Sequence, residues 1–276
     1  MSQKKNVGKE KKINPFLRWA GGKRWFLKEL DKLVTIENFG NYHEPFVGGG
    51  SVYFHFNPQN AIISDSNEEL INTYINVRDN IDDVIIFLKE FKNTEEFYYS
   101  IRKTKFNDEI MEAAKFIYLN QTSFNGIFRV NSKGEYNVPY GHRDKYKFDY
   151  ENLCEVNISL QGTVVECCDF DSSIENIQKG DLVFLDPPYT VAHNNNGFIQ
   201  YNQKIFSLED QYRLAKFINE LKEIGAFYIM TNAAHNSIKD IFNNGDRMFE
   251  LNRSSLIGGR NAIRGKYSEL ILTNLL

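Results

Sequence analysis

The sequence predicts a doubly wound α/β core interrupted by a mainly helical insertion, on three observations. Short apolar runs end repeatedly on glycine or an acidic residue: 42–47 leads into Gly48, 61–64 into Asp65, and 181–185 into Asp186. Helix-spaced segments follow several of these runs, as expected where helices cover a parallel sheet. Between about 71 and 150 the pattern changes to helix-like segments and then an Asn-, Gly- and aromatic-rich stretch.

Each element has a local reason. Residues 42–47 read as a strand, with a helix opening near Ser51, and 61–64 as a second strand. Helices are expected at 68–74, 82–91 and 109–119, where apolar residues recur at helical spacing. Residues 123–140 predict a β-hairpin region with turns at Asn125-Gly126 and Lys133-Gly134. Strands follow at 164–168 and 181–185, a helix at 208–224 stopped by Gly225, and strands at 226–231 and 269–273. The expected division is a discontinuous core of 1–70 and 151–276 around an insertion of 71–150, with 1–13 a flexible arm.

Composition narrows the functional classes. A chain of 276 residues buries a sizeable core without disulfides. Three cysteines, two of them adjacent, form no CxxC and have no histidine at ligand spacing, which argues against a zinc site and fits a reducing cytoplasm. No metal site is expected. No apolar run approaches the roughly 18 residues of a membrane span, and the charged N-terminus does not read as a secretory signal.

The net charge of −3 conceals an asymmetry. Residues 1–28 hold nine basic residues against Glu10 alone; 123–147 hold five against two, and 247–266 five against one. Such stretches are solvated surface or parts of one basic cleft for a polyanion on an otherwise acidic body.

The chemistry concentrates at Asp186-Pro187-Pro188-Tyr189, directly after the apolar run DLVFL. The C-terminal ends of parallel strands are where open α/β sheets bind ligands. Two prolines hold the backbone rigid and extended. The tetrapeptide thus offers a carboxylate, a fixed carbonyl and an aromatic face, a set suited to a planar heterocycle bearing an exocyclic amine. Asp186 and the Pro187 carbonyl each accept one N–H, and Tyr189 stacks on the ring.

A second motif is Glu44-Pro45-Phe46-Val47-Gly48-Gly49-Gly50-Ser51. Glycines after a strand let a ligand approach the backbone. Asp65 follows Gly48 at close to the roughly 20-residue offset at which an acidic residue meets ribose hydroxyls. The spacing fits an adenosine-containing cofactor and equally a plain tight turn; the phosphate-loop pattern GxxxxGK[ST] is missing. Arg18-Trp19-Ala20-Gly21-Gly22-Lys23 places Trp and Lys around a double glycine, either to close over a nucleoside or as a surface lead-in. Cys168-Asp169-Phe170 sets an acid beside an aromatic at a strand end, suited to an adenine amine. Phe124, Asn125, Arg129 and Asn131, then Pro139, His142 and Arg143, interleave aromatics with base-reading polar types or form a generic Asn-Gly loop.

In this order FLRWAGGK, EPFVGGG, SDSNEEL, FNGIFRVN with NVPYG, CDF, FLDPPY and RGKYSEL resemble the Dam family of DNA adenine-N6 methyltransferases, over about residues 15–274. The resemblance implies a Rossmann-like methyltransferase core using S-adenosyl-L-methionine (SAM), with 71–150 as the DNA target-recognition domain. It places Trp19, Lys23, Phe46, Gly48, Gly50, Asp65, Asp169, Phe170 and Asp186 around the cofactor, and Asp186, Pro187, Pro188 and Tyr189 at the reacting amine. Phe124 is implied as a stacking or intercalating aromatic, Asn125 as a base or phosphate contact, Arg129 as a guanine reader and Arg18 as a basic DNA contact. His142 departs from the arginine common after NVPYG. The implied substrate is double-stranded DNA at a short site, GATC in many members, methylated by a cytoplasmic, nucleoid-associated monomer or weak dimer. A cognate restriction endonuclease would be a separate chain. Methylation of cytosine N4 is the alternative within this chemistry. A nucleotide-binding oxidoreductase and a DNA-binding module without cofactor are the alternatives outside it.

Overall fold

Runs of β-branched and aromatic residues bounded by glycine or acidic positions pair into a sheet whose central strands are buried. The computed structural model describes residues 12–131, 133–143, 146–189, 206–254 and 266–275. The expected arm, most of 1–13, lies outside them, as do Arg260 and Arg264 of the third basic stretch.

The elements in chain order are α1 (Leu27–Leu33), β1 (Tyr42–Glu44), α2 (Tyr53–Phe56), β2 (Ala61–Asp65), α3 (Glu68–Asp79), α4 (Ile81–Glu90), α5 (Glu95–Lys103), α6 (Glu109–Thr122), α7 (Tyr150–Leu160), β3 (Val164–Cys167), β4 (Leu182–Leu185), α8 (Leu208–Ile224), β5 (Phe227–Ala233), α9 (Asn236–Ile241), β6 (Arg247–Ser254) and β7 (Lys266–Thr273). The chain divides into two compact units. The first comprises Met1–Gly22, Gly49–Asn57 and Asn76–Gln161, and the second Lys23–Gly48, Pro58–Ile75 and Gly162–Leu276.

The second unit carries all seven strands of the sheet, in the order β3-β2-β1-β4-β5-β7-β6. The first five are mutually parallel, and β7 runs antiparallel to both β5 and β6. The order reverses between β1 and β4, so the crevice at their carboxyl ends is the expected ligand site of a doubly wound sheet. β4 is buried at every position, which is why DLVFL reads as a continuous apolar run. β1 stops earlier than expected, at Glu44, because Pro45 lacks an N–H; pairing resumes with Val47 N on Ser64 O at 3.0 Å. β6 was not expected from the sequence.

α8 begins with a capping box in which Ser207 and Asp210 satisfy each other's backbone N–H groups, and it ends on Gly225 at φ 83°. Its Leu214, Phe217, Ile218 and Leu221 pack with Val183, Leu185, Tyr228, Met230, Leu270 and Leu272 in one apolar cluster. Below the sheet, Asp181 accepts from Asn41 N at 2.8 Å and Gln178 N at 3.0 Å, and its Oδ2 lies 2.9 Å from His43 Nε2. Burial holds this histidine below its ordinary value.

The first unit is helical. α6 is its buried axis, with residues 113–122 enclosed apart from Lys115. Tyr53, Tyr98 and Tyr118 are buried with their hydroxyls satisfied: Tyr53 donates to Ser159 O at 2.6 Å, Tyr98 to Val138 O at 2.8 Å and Tyr118 to Lys92 O at 2.8 Å. Residues 123–140 form a loose antiparallel loop held by two isolated bridges, Ser123 with Tyr140 and Val130 with Tyr136. Near the expected Lys133-Gly134 turn, Gly134 N donates to Asn131 O. Asn125-Gly126 sits in a short 3-10 turn (Phe124–Gly126) instead of capping a ladder.

Candidate active site

The C-terminal end of β4 delivers Asp186, and β5 delivers Thr231 beside it. The Thr231 hydroxyl donates to Asp186 Oδ1 at 2.7 Å. Lys23 Nζ lies 2.6 Å from the same Oδ1. Lys23 is 3% exposed and the Asp186 side chain 20%, so the pair is largely shielded from water. Burial pushes the Asp186 carboxyl above the usual range, while the Lys23 charge and the two hydrogen bonds oppose the shift. Both bonds fall on Oδ1. Among the described residues, no hydrogen bond is made to Oδ2.

Tyr189 closes the same corner. The Lys23 ammonium sits 5.0 Å from its ring centre, and its hydroxyl donates to Glu269 Oε2 on β7. Glu269 is itself buried. Pro187 is buried and Pro188 half-buried. The ring is thus held at its far end, with its orientation fixed by two partners of opposite charge.

The other end of the crevice is built by β1 and β2. Gly48 has φ 46° and Gly50 φ 65°, a region that disfavours side chains, so the turn requires glycine at both positions. Gly48 N donates to Asp65 Oδ2 at 3.1 Å, and Tyr74 donates to Gly48 O at 3.0 Å. Asp65 Oδ1 accepts from Asn67 N at 3.1 Å. Burial raises the Asp65 carboxyl to about 6 against these backbone hydrogen bonds. Phe46 stacks on Phe170 with ring centres 5.2 Å apart, and Phe206 meets both edge-on or tilted. Asp169, at the head of the 3-10 stretch (Phe170–Asn176), keeps its carboxylate half exposed.

The remaining sequence-expected residues lie in the first unit. The Trp19 ring stacks on Phe128 at 5.5 Å and on Phe116 at 6.5 Å. Arg18 is pinned by its backbone, which exchanges two hydrogen bonds with the Asn120 side chain, both 2.8 Å. Its side chain lies flat on Gly126, where a Cβ would come within 2.5 Å of Arg18 Cδ. Arg18 Nη1 is buried and has no partner among the described residues. Desolvation, then the nearby Arg143 charge, lowers its basicity. Arg143 donates to Gln121 O at 3.0 Å and stacks over Tyr146 at 4.6 Å.

Phe124 is 54% exposed and Asn125, at φ 57°, is also exposed. Arg129 Nε donates to Asn137 Oδ1 at 2.7 Å. Asn131 is committed locally: its amide donates to Glu135 and its carbonyl oxygen accepts from Lys133 N and Glu135 N. Pro139 and His142 are exposed, and the His142 ring stands edge-on to Tyr140.

Sequence reasoning gave no role to Thr231, Glu269 or Tyr74. Thr231 carried a usable signal, since it is a polar residue at the end of the apolar run FYIM, as Asp186 is after DLVFL. No cluster of potential metal ligands occurs among the described residues, and all three cysteines are free thiols. No described helix is long and apolar enough to cross a membrane.

Comparison with known proteins bears on this geometry. The model of the D12 class N6 adenine-specific DNA methyltransferase family matches residues 19–255. The chain is similar to the type II methyltransferase M1.LlaDCHI of Lactococcus lactis, with 33% identity over 98% of this chain and 99% of the other. It is 37% identical to the type II methyltransferase M.MjaIII of Methanocaldococcus jannaschii, over 80% and 84% of the two chains. It is also 33% identical to the DNA adenine methylase of Haemophilus influenzae, over 87% of each.

Proposed function

Because the chain belongs to the D12 class of N6 adenine-specific DNA methyltransferases, we propose that it transfers the methyl group of SAM to an adenine flipped out of a short duplex site, GATC being the site to test first. Membership in an adenine-specific family decides between the two amines the sequence left open, and it displaces the oxidoreductase and cofactor-free readings.

The observation that carries the mechanism is the double hold on one oxygen of Asp186. Lys23 and Thr231 fix Oδ1, which orients the carboxylate and leaves Oδ2 for the N6 amine. The Pro187 carbonyl accepts the second N–H. Two acceptors out of the ring plane draw the nitrogen toward tetrahedral geometry and free its lone pair. Tyr189, anchored through Glu269, stacks on the flipped base and offsets part of the few kcal/mol that unstacking costs. Positioning of this kind supplies most of the acceleration when the donor is already activated.

The crevice fits the cofactor by the chemistry of its donors. Asp65 suits the ribose hydroxyls, Asp169 the adenine amine, Phe46 and Phe170 the adenine face, and Lys23 the methionine carboxylate. Gly48 and Gly50 keep the turn free of side chains. When bound, SAM supplies an electrophilic methyl group. Trp19 was expected near it; its stack on Phe128 and Phe116 equally suits a wall of the target-recognition unit.

The target-recognition role is read for 71–150, most of which falls in the compact unit that includes 76–161. Exposed Phe124 is the wedge that fills the space left by the flipped base, and Asn125 lies beside it. Arg129, Arg18 and Arg143 meet bases or phosphates, and Pro139 and His142 line the same loop. Arg18 Nη1, buried and without a partner among the described residues, supports a ligand there, since an unmet guanidinium donor is costly. The enzyme is read as a cytoplasmic monomer or weak dimer, with any cognate endonuclease a separate chain. The test is incubation of the purified protein with SAM and duplexes with and without GATC, followed by nucleoside analysis. N6-methyladenine in GATC duplexes alone supports the proposal. N6-methyladenine at another sequence overturns the site assignment, and no methylated base overturns the mechanism.

Two further results are expected. Replacing Arg129 by Ala relaxes specificity at one base pair, worth about 1–3 kcal/mol, in a competition assay on single-substituted sites. Uniform weakening on all sites, with a smaller salt slope, makes it a phosphate contact instead. Second, cofactor affinity is flat above neutrality and weakens as pH falls through about 6, because protonated Asp65 loses acceptor capacity for the ribose. The sign for stability is opposite. A carboxyl raised in the folded state adds stability as pH falls from about 6 toward the ordinary carboxylate value, so the weaker binding is not unfolding. Calorimetry from pH 5 to 8 on the natural chain and on Asp65→Asn checks this; an equal pH dependence in both rejects it.

A further inference from the structure

One guanidinium in the second unit, to which the mechanism above gives no role, gathers three carboxylates. Arg213, in the second turn of α8, donates from Nη1 to Asp210 Oδ1 at 2.9 Å. Its Nη2 donates to Asp171 Oδ2 and lies 3.1 Å from Asp169 Oδ2. Its Cζ stands 4.9 Å from the centre of the Phe170 ring. Arg213 therefore grips both carboxylates that flank Phe170 while covering the ring between them. Phe170 is buried and stacks on Phe46, whereas the Asp169 side chain is 51% exposed and has no second ion-pair partner among the described residues.

We propose that Arg213 is the positioning residue for the adenine end of the cofactor pocket. It holds Asp169 by Oδ2 so that Oδ1 meets the adenine amine, and it fixes Phe170 as the wall against the adenine face. The inference rests on the cofactor reading above and adds a residue to it. An exposed carboxylate left alone must give up rotamer freedom when the ligand arrives; one already held by a planar fork has lost it beforehand. The ion pairs themselves are half exposed, and such pairs add little to folding. Loss of Arg213 is therefore felt in recognition of the cofactor more than in stability. Lysine keeps the charge but cannot bridge three carboxylates from one planar group, so it rescues only in part.

The discriminating probe is the base. S-inosylhomocysteine carries a carbonyl where S-adenosylhomocysteine carries the amine, so a fixed Asp169 rejects it. Binding of both is measured by calorimetry on the natural chain, Arg213→Ala, Arg213→Lys and Asp169→Asn, together with melting temperatures and steady-state kinetics. Arg213→Ala should weaken S-adenosylhomocysteine about tenfold, raise KM for SAM likewise, and leave kcat and KM for DNA within about twofold. Its preference for adenosyl over inosyl should shrink about fivefold, in the same direction as in Asp169→Asn, with Arg213→Lys between. An undiminished preference, or a loss of every parameter together with the melting temperature, overturns the proposal. A natural chain that binds both ligands equally overturns it while leaving the cofactor reading standing. A natural chain that binds neither overturns both.

Discussion

Asp186→Asn is expected to lower kcat by about 10³ while the protein stays folded and still binds cofactor. The reasoning is local. Asp186 is held on Oδ1 by Lys23 and Thr231, so the amide can occupy nearly the same volume. Asparagine presents either an NH2 or a neutral oxygen to the target amine. The first repels N6–H, and the second is a weaker acceptor than a carboxylate. Neither draws the nitrogen lone pair forward as the charged oxygen does. Asp186→Ala loses the chemistry equally but also strands the Lys23 ammonium in a buried corner, so it confounds activity with folding. Thr231→Val leaves the charge and removes one of the two restraints, and about a tenfold loss in kcat is expected from misorientation alone. Single-turnover methylation with saturating duplex and SAM, beside cofactor calorimetry and thermal melting, separates these effects. An Asp186→Asn enzyme within tenfold of the natural one would remove Asp186 from the chemistry.

The sheet was legible because its strands announce themselves locally. DLVFL is buried at all four strand positions and ends on an acid, and 61–64 is buried at all but Ile62 before Asp65. The α8 boundaries were readable from Ser207 and Gly225, whose roles are set by backbone geometry within one turn. β6 was missed although its residues also lie in a strand of eight, because its pairing with β7 is a tertiary event and its sequence mixes charge with apolar positions. α5 and α7 were likewise missed, despite Thr94 and Asp149 caps that follow the ordinary N-terminal rule.

The site divides along the same line. Asp186, Tyr189, Gly48 and Asp65 could be singled out because each stands at the end of a run that can be read alone. What the sequence does not hold is convergence. Lys23 and Thr231 meet on one oxygen from opposite parts of the chain, and Glu269 reaches Tyr189 across 80 residues. Arg213 looks like any polar residue on an amphipathic helix until Asp169 and Asp171 fold against it. Asn125-Gly126 looks like a hairpin turn, yet Gly126 is met by the Arg18 side chain lying on it, and of the two expected turns the one at Lys133-Gly134 has the closing bond, from Gly134 N to Asn131 O. Local signals name the residues. Long-range packing assigns their partners.

Lys23→Met is expected to be the second severe lesion, and its pH dependence distinguishes it from a simple packing defect. Lys23 is 3% exposed and provides the largest opposition to the upward shift of Asp186. Without it a shielded carboxylate keeps only the Thr231 hydroxyl, a loss worth about 3–5 kcal/mol where the group stays ionised. The carboxyl escapes by taking up a proton, so its folded-state value rises further. Between the ordinary carboxylate value and that raised value the folded variant binds more protons than the unfolded chain. Its stability therefore increases as pH falls, the reverse of ordinary acid denaturation. Denaturant melts from pH 5 to 8 should show the gap between variant and natural protein narrowing toward pH 5. Activity should move the other way, because a protonated Asp186 is a weaker acceptor for the amine than the carboxylate and no longer draws its lone pair forward; a loss of about 10²–10³ in kcat is expected at pH 7.5. Combining Lys23→Met with Asp186→Asn removes the uncompensated charge and should restore most of the stability but none of the activity. A gap in stability that is constant with pH, or a double variant no more stable than Lys23→Met alone, would show that Lys23 acts by filling space and not by its charge on Asp186.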